Sequence, residues 1–125
     1  LNGVEVTEAL AGRKAADLRT IQWAEQQIEE DNADIYMLHL WLTGLQYLPD
    51  MQSHQIYYET PDSLAEQLVS RRPTYLLMRL WVIEGQWGNE SPGIAYKYLQ
   101  DNATLETIGT YRDFSLVKVN PKEVG

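Results

Sequence analysis

The chain has 125 residues, 44% of them hydrophobic and 22% charged, which is the composition of one folded domain with a real core, not of a disordered segment. Its net charge is −8, and the basic residues are scattered, with Arg13-Lys14 and Arg71-Arg72 the only adjacent pairs. Without a local basic patch such a surface repels phosphate backbones and disfavours docking onto anionic lipid, so no nucleic acid is expected among its partners. Without a cysteine there is no disulfide, thiolate nucleophile or cysteine-based zinc site.

In chain order, residues 1–12 show no clear periodicity and read as a linker or lead-in. Residues 13–31 read as a helix, with Ala15, Leu18, Ile21, Ala24 and Ile28 on one stripe. Asn32 suits a left-handed stop. The run Ile35-Tyr36-Met37-Leu38-His39-Leu40 is almost continuously apolar and predicts a strand covered on both sides. A loop or short helix follows through Leu48. Residues 55–58 read as a second strand. Thr60-Pro61-Asp62-Ser63 has helix-start chemistry, Leu64, Leu68 and Val69 form that helix's inner face, and Arg71-Arg72-Pro73 ends it.

Residues 75–83 are the most apolar segment and read as a third strand. Gly85 and Gly88 open a loop, and Ser91-Pro92 starts a helix with Ile94, Tyr98 and Leu99 inward. Residues 105–111 and 114–119 read as a hairpin across Arg112-Asp113. The order predicts one α/β domain over residues 13–120, followed by a short tail at 121–125. Its expected architecture is a three-layer fold with a mainly parallel sheet, helices on both faces and a C-terminal antiparallel hairpin.

Loops after parallel strands gather on one edge of a sheet, where such folds place ligands. Here they carry Trp41 and Tyr47, then Glu59, then Glu84, Gln86, Trp87 and Asn89. An indole beside carboxylates and amides suits a sugar ring, whose C–H face stacks while its hydroxyls bond the polar groups. Capping the ends of the core is the commoner role for Trp41 and Trp87. Glu59 and Glu84 form a candidate carboxylate pair for a small hydrolase, a role that needs a set separation and one raised pKa; solvated strand-end carboxylates are the simpler reading.

His39 reads as a hydrogen-bonded structural residue and His54 as an exposed one, with no spacing that resembles a metal site. Glu29-Glu30-Asp31 reads as a solvated helix end, with a weakly held cation or a basic partner as the alternative. No phosphate-binding glycine loop, nucleophile elbow or other cofactor motif occurs, so neither a cofactor nor a metal is expected. Asn89-Glu90-Ser91 and Asn102-Ala103-Thr104 fit the short N-glycosylation pattern, the first weakened by Pro92.

Residues 16–119 resemble the soluble extracytoplasmic C-terminal domain of membrane glycosyltransferases of the dolichyl-phosphate-mannose–protein mannosyltransferase family. The resemblance lies in an amphipathic helix over residues 17–30, Gly44-Leu45-Gln46-Tyr47, Ile56-Tyr57-Tyr58, Ser63-Leu64-Ala65-Glu66 and Tyr75-Leu76-Leu77. It closes on Gly109-Thr110-Tyr111-Arg112-Asp113-Phe114-Ser115-Leu116-Val117-Lys118-Val119. It implies an accessory domain on the extracytoplasmic face of a membrane, attached through segments absent from these residues. The parent would use a lipid-linked sugar donor, and this domain's partners would be its membrane-embedded part and a glycan or acceptor.

The family's catalytic acid lies between early membrane spans, so no catalytic residue carries over. The start at Leu1 without an initiator Met is read as a piece of a longer protein, with processing as the alternative. A freestanding carbohydrate- or small-ligand-binding module is the other reading of the same residues.

Overall fold

The computed structural model describes the backbone of residues 3–122 and the side chains of residues 12–40 and 43–122. Helix α1 spans Gly3–Gln27, so it begins ten residues before the periodic stretch that announces it. The chain turns through Asn32, in the left-handed conformation expected of it (φ 56°), into β1, Asp34–Met37. Then come α2 (Trp41–Tyr47), β2 (Gln52–Gln55), a 3-10 turn (Ile56–Tyr58), α3 (Pro61–Ser70) and β3 (Thr74–Met78). The chain continues through α4 (Leu80–Glu84) and α5 (Ser91–Asn102) into a hairpin of β4 (Ala103–Tyr111) and β5 (Phe114–Pro121).

The five described strands form one sheet in the order β2-β1-β3-β5-β4. β1 pairs in parallel with β2 and β3; β5 runs antiparallel to both β3 and β4. The sheet is therefore mixed, where a mainly parallel one is expected from the sequence. The hairpin does not sit as an appendage at an edge: β5 enters beside β3 and takes half of the pairing. Arg112, with φ 57°, makes the turn, and a register shift between Thr107 and Gly109 bulges β4.

Alternation along the strands sorts the core into two clusters. Ile35, Met37, Tyr75, Leu77, Phe114 and Leu116 join Ile21 and Ala24 of α1 and Ile28 just past its end. Tyr36, Leu76, Met78, Val117 and Val119 join Leu64 of α3 and Ala95, Tyr96 and Leu99 of α5. The central strands bury side chains on both sides, which is why their sequences read as unbroken apolar runs.

Three expectations fail for identifiable reasons. Residues 56–58 are not strand. A 3-10 turn closed by Glu59 N–H on the Ile56 carbonyl (3.0 Å) buries Ile56 alone and leaves Tyr57 and Tyr58 exposed. Residues 80–83 leave the strand for one helical turn that buries Val82 and Ile83 and puts Trp81 65% in solvent. A short apolar run cannot by itself distinguish these outcomes. Val69 and Ile94, expected inward, are exposed (83% and 50%).

The start of α3 follows its sequence closely. Thr60 and Ser63 exchange side-chain-to-backbone hydrogen bonds, a capping box with Pro61 just inside. Arg71 ends the helix at φ 57°.

The acidic end of α1 has a basic partner inside the same chain. Lys118 Nζ donates to Glu30 Oε1 at 2.7 Å, and the Tyr75 phenol donates to Glu30 Oε2. The hydrogen bonds from Lys118 and then Tyr75 hold the Glu30 carboxyl below its ordinary value of 4.5; the same pair raises Lys118 above 10.5. A lowered carboxylate contributes stability that is fully present above pH 4.5 and is lost as pH falls through the folded value. A raised ammonium contributes stability that is present below 10.5 and is lost as pH rises through its folded value. Glu30→Gln should therefore flatten both limbs of a urea-midpoint-against-pH profile; an acid limb unchanged in the variant would rule this account out.

Candidate functional site

The carboxyl ends of β2 and β3 carry an aromatic ridge. The turn after β2 presents Tyr57 and Tyr58, whose rings meet edge to face at 5.8 Å and 89°. Tyr57 meets Trp87, from the loop after α4, at 5.9 Å and 86°. Tyr58 is 75% exposed and Tyr57 44%, while Trp87 is half-buried. The Trp87 Nε1–H is buried and bonds no acceptor among the described residues.

The loop is fixed by its backbone. Trp87 N–H donates to the Val82 carbonyl at 3.1 Å, and the Trp87 carbonyl accepts from Glu90 and Gly93 N–H, both at 3.0 Å. Gly93 is required here. A Cβ on it would stand 2.2 Å from the Trp87 carbonyl oxygen and 2.4 Å from that of Gly88.

Behind the ridge lies a polar chain anchored on a buried charge. Asp34, 1% exposed, begins β1. Its Oδ1 is 2.7 Å from His54 Nε2; its Oδ2 accepts from Gln67 Nε2 at 3.0 Å and lies 3.1 Å from Arg72 Nε. Gln67 also donates to Thr74 Oγ1 at 2.9 Å. Register explains the meeting: His54 stands beside Tyr36 and Thr74 beside Asp34, with all four side chains on the α3 side of the sheet.

The His54 ring stacks on Tyr36 at 4.5 Å and 17°, and its Nδ1 is 4.0 Å from Glu59 Oε1. Glu59 Oε2 accepts from Ser63 Oγ at 2.6 Å. Burial, then the charges of Glu59 and Asp34, raises the Tyr36 phenol well above its ordinary value, so it stays protonated. Glu59 is thus a fixed acceptor next to the exposed tyrosines in the chain.

Of the residues that the sequence nominates, Trp87 and Glu59 belong to this assembly. Glu84 at the end of α4 and Gln86 and Asn89 on the loop after it are exposed. Tyr47 is elsewhere: it lines a cavity of about 390 Å³ between α1 and α2 with Lys14, Leu18 and Gln46. Trp41 is the first residue of α2, and its side chain lies outside the described residues.

His54 is half-buried and paired, not exposed. His39, expected to be hydrogen-bonded and structural, is exposed and makes no hydrogen bond to a described residue. Tyr57 and Tyr58 are missed as site residues because in a strand one of them would face inward. Asp34 is missed too; its only signal is an acid placed directly before an apolar run.

Among the described residues no group of three or more His, Cys, Asp or Glu could hold a metal ion, and no helix is long and apolar enough to cross a membrane. Comparison with known proteins finds no matching family model, curated protein or solved structure.

Asp34→Ala should destabilise the domain by about 2 kcal/mol or more, because it strips the partner from His54, Gln67 and Arg72 at once. The half-exposed Arg72 retains hydration and keeps the loss from being larger. Gly93→Ala should cost about 1–3 kcal/mol by overpacking and should change Trp87 fluorescence. Urea unfolding checks both; an Asp34→Ala midpoint equal to that of the parent would remove Asp34 as an anchor.

Proposed function

We propose that this chain is a non-catalytic recognition domain that receives a glycan or glycosylated acceptor on the Tyr57–Tyr58–Trp87 ridge. The observation that carries the reading is the ridge itself: the Tyr57 ring meets both Tyr58 and Trp87, the two tyrosines are exposed, and the fixed carboxylate of Glu59 follows in the chain. A pyranose offers a C–H face to such rings and hydroxyl donors to such a carboxylate. The surplus negative charge favours neutral or cationic saccharides over polyanionic ones.

In this reading the two core clusters are the two interfaces of a three-layer domain, with α1 on one face of the sheet and α3 and α5 on the other. The setting we propose is the extracytoplasmic side of a membrane-bound glycosyltransferase that uses a lipid-linked sugar donor. There the domain would help present the acceptor to a membrane-embedded catalytic part. This rests on the resemblance of residues 16–119. No observation favours hydrolysis by Glu59 and Glu84.

Titrating the purified domain with a panel of neutral oligosaccharides should quench Trp fluorescence saturably for at least one member. Tyr58→Ala should weaken that binding about tenfold, the equivalent of about 1.4 kcal/mol. It should leave the unfolding midpoint unchanged, because the ring is mostly in solvent. A flat response across the panel would overturn glycan recognition. Genomic sequence around this segment should encode membrane spans; a complete reading frame without them would overturn the glycosyltransferase setting and leave a freestanding module.

A further inference from the structure

A second place on the molecule, on the opposite side of the sheet from the ridge, has the make-up of a ligand site. The connection after β1 leads to β2 on one side, and the connection after β3 leads through α4 and α5 to the hairpin on the other. The carboxyl ends of β1 and β3 therefore flank the crevice that open α/β sheets commonly use for ligands. Met37 and Leu77 are register partners, both in the α1-side cluster; His39 and Arg79 lie two residues beyond them.

Arg79 is an unusual cation in this acidic chain. Its guanidinium lies 4.4 Å over the Phe114 ring, and its Nε donates to Asp113 Oδ2 at 2.7 Å. Both contacts fix the plane of the group. No hydrogen bond engages its two Nη groups among the described residues, so the fork that suits an oxyanion is not occupied by them. Partial burial of the His39 ring, and then the charge of Arg79, push His39 below its ordinary value, against the opposing charge of Asp17 on α1. A neutral imidazole can offer one N–H without adding a second cation. Trp81, two residues after Arg79, stands 65% in solvent.

We infer that the crevice between His39 and Arg79 binds a phosphate group, with Trp81 available to the organic portion of the ester. A phosphate can give two oxygens to the guanidinium fork and a separate oxygen to an imidazole N–H, and as a dianion it gains more from the guanidinium than a carboxylate does. The site is independent of the glycan reading: it lies on the α1 side and shares no residue with the ridge. The phosphate could belong to a soluble ester or to a lipid headgroup, and the chemistry at Arg79 is the same for both.

Proton NMR of the His39 imidazole and Trp81 indole reads the site directly. Titration with inorganic phosphate, at ionic strength held constant with sodium chloride, should shift both resonances saturably with a dissociation constant on the order of millimolar. Arg79→Lys should weaken binding at least fivefold, since it keeps the charge and loses the fork, and Arg79→Gln should abolish it. Arg112→Gln, on the nearby turn, should change nothing.

If the Arg79 variants melt early, His39→Ala keeps the test open, because that exposed ring makes no hydrogen bond to a described residue; it should weaken binding about threefold as read at Trp81. Glycerol phosphate and vesicles containing phosphatidic acid form the two further arms. An Arg79-dependent response to either supports the site and names the source. No saturable shift, an equal shift with acetate, or undiminished binding in Arg79→Gln would overturn the proposal.

Discussion

The carboxylate of Asp34 is the interaction on which the arrangement of this domain turns. A buried charge is tolerated only where partners surround it, and its partners come from three different places: His54 from β2, Gln67 from α3 and Arg72 from the turn before β3. Satisfying one side chain therefore fixes where the edge strand pairs, how α3 lies and where β3 begins. The Asp34 N–H adds to this by donating to the Pro73 carbonyl at 2.8 Å.

That anchor reaches the surface through His54. The imidazole is held between Asp34 and Tyr36, and its other nitrogen faces Glu59. Glu59 is in turn bonded by Ser63, itself part of the α3 capping box. The ridge beside it is thus presented by a stiff support instead of a free loop, and rings held in place lose little freedom when a ligand arrives. Gly93 does the same for Trp87, because only a residue without a side chain lets α5 pass so close to the 85–90 loop.

Much of the fold was legible in residues with local reasons for their conformation. Arg71 stops a helix, Asn32 takes the left-handed turn into β1 although α1 has already ended at Gln27, Thr60-Pro61-Asp62-Ser63 starts a helix, and Arg112-Asp113 turns the hairpin. The apolar runs at 35–40 and 75–83 announced strands buried on both faces, but the strands end at Met37 and Met78. The runs at 56–58 and 80–83 looked alike and were not strands, because whether an apolar residue leaves the ladder depends on what waits above it: Ile56 and Ile83 both drop into the cluster beneath α5. Of the site, Trp87 and Glu59 could be nominated from their positions after strands. The exposed tyrosine pair could not, since their exposure follows from a turn that the sequence pattern disguises as strand.

By itself the sequence determined an acidic, cysteine-free α/β domain, the boundaries of α3 and the closing hairpin, since these follow from composition, capping and period. The tertiary structure alone decided that β5 inserts beside β3 to make a mixed sheet, that His54 pairs with an acid twenty positions away, and that Arg79 lies on Phe114. Those outcomes depend on register and on strand order. They bring together residues whose separation along the chain carries no trace of their contact.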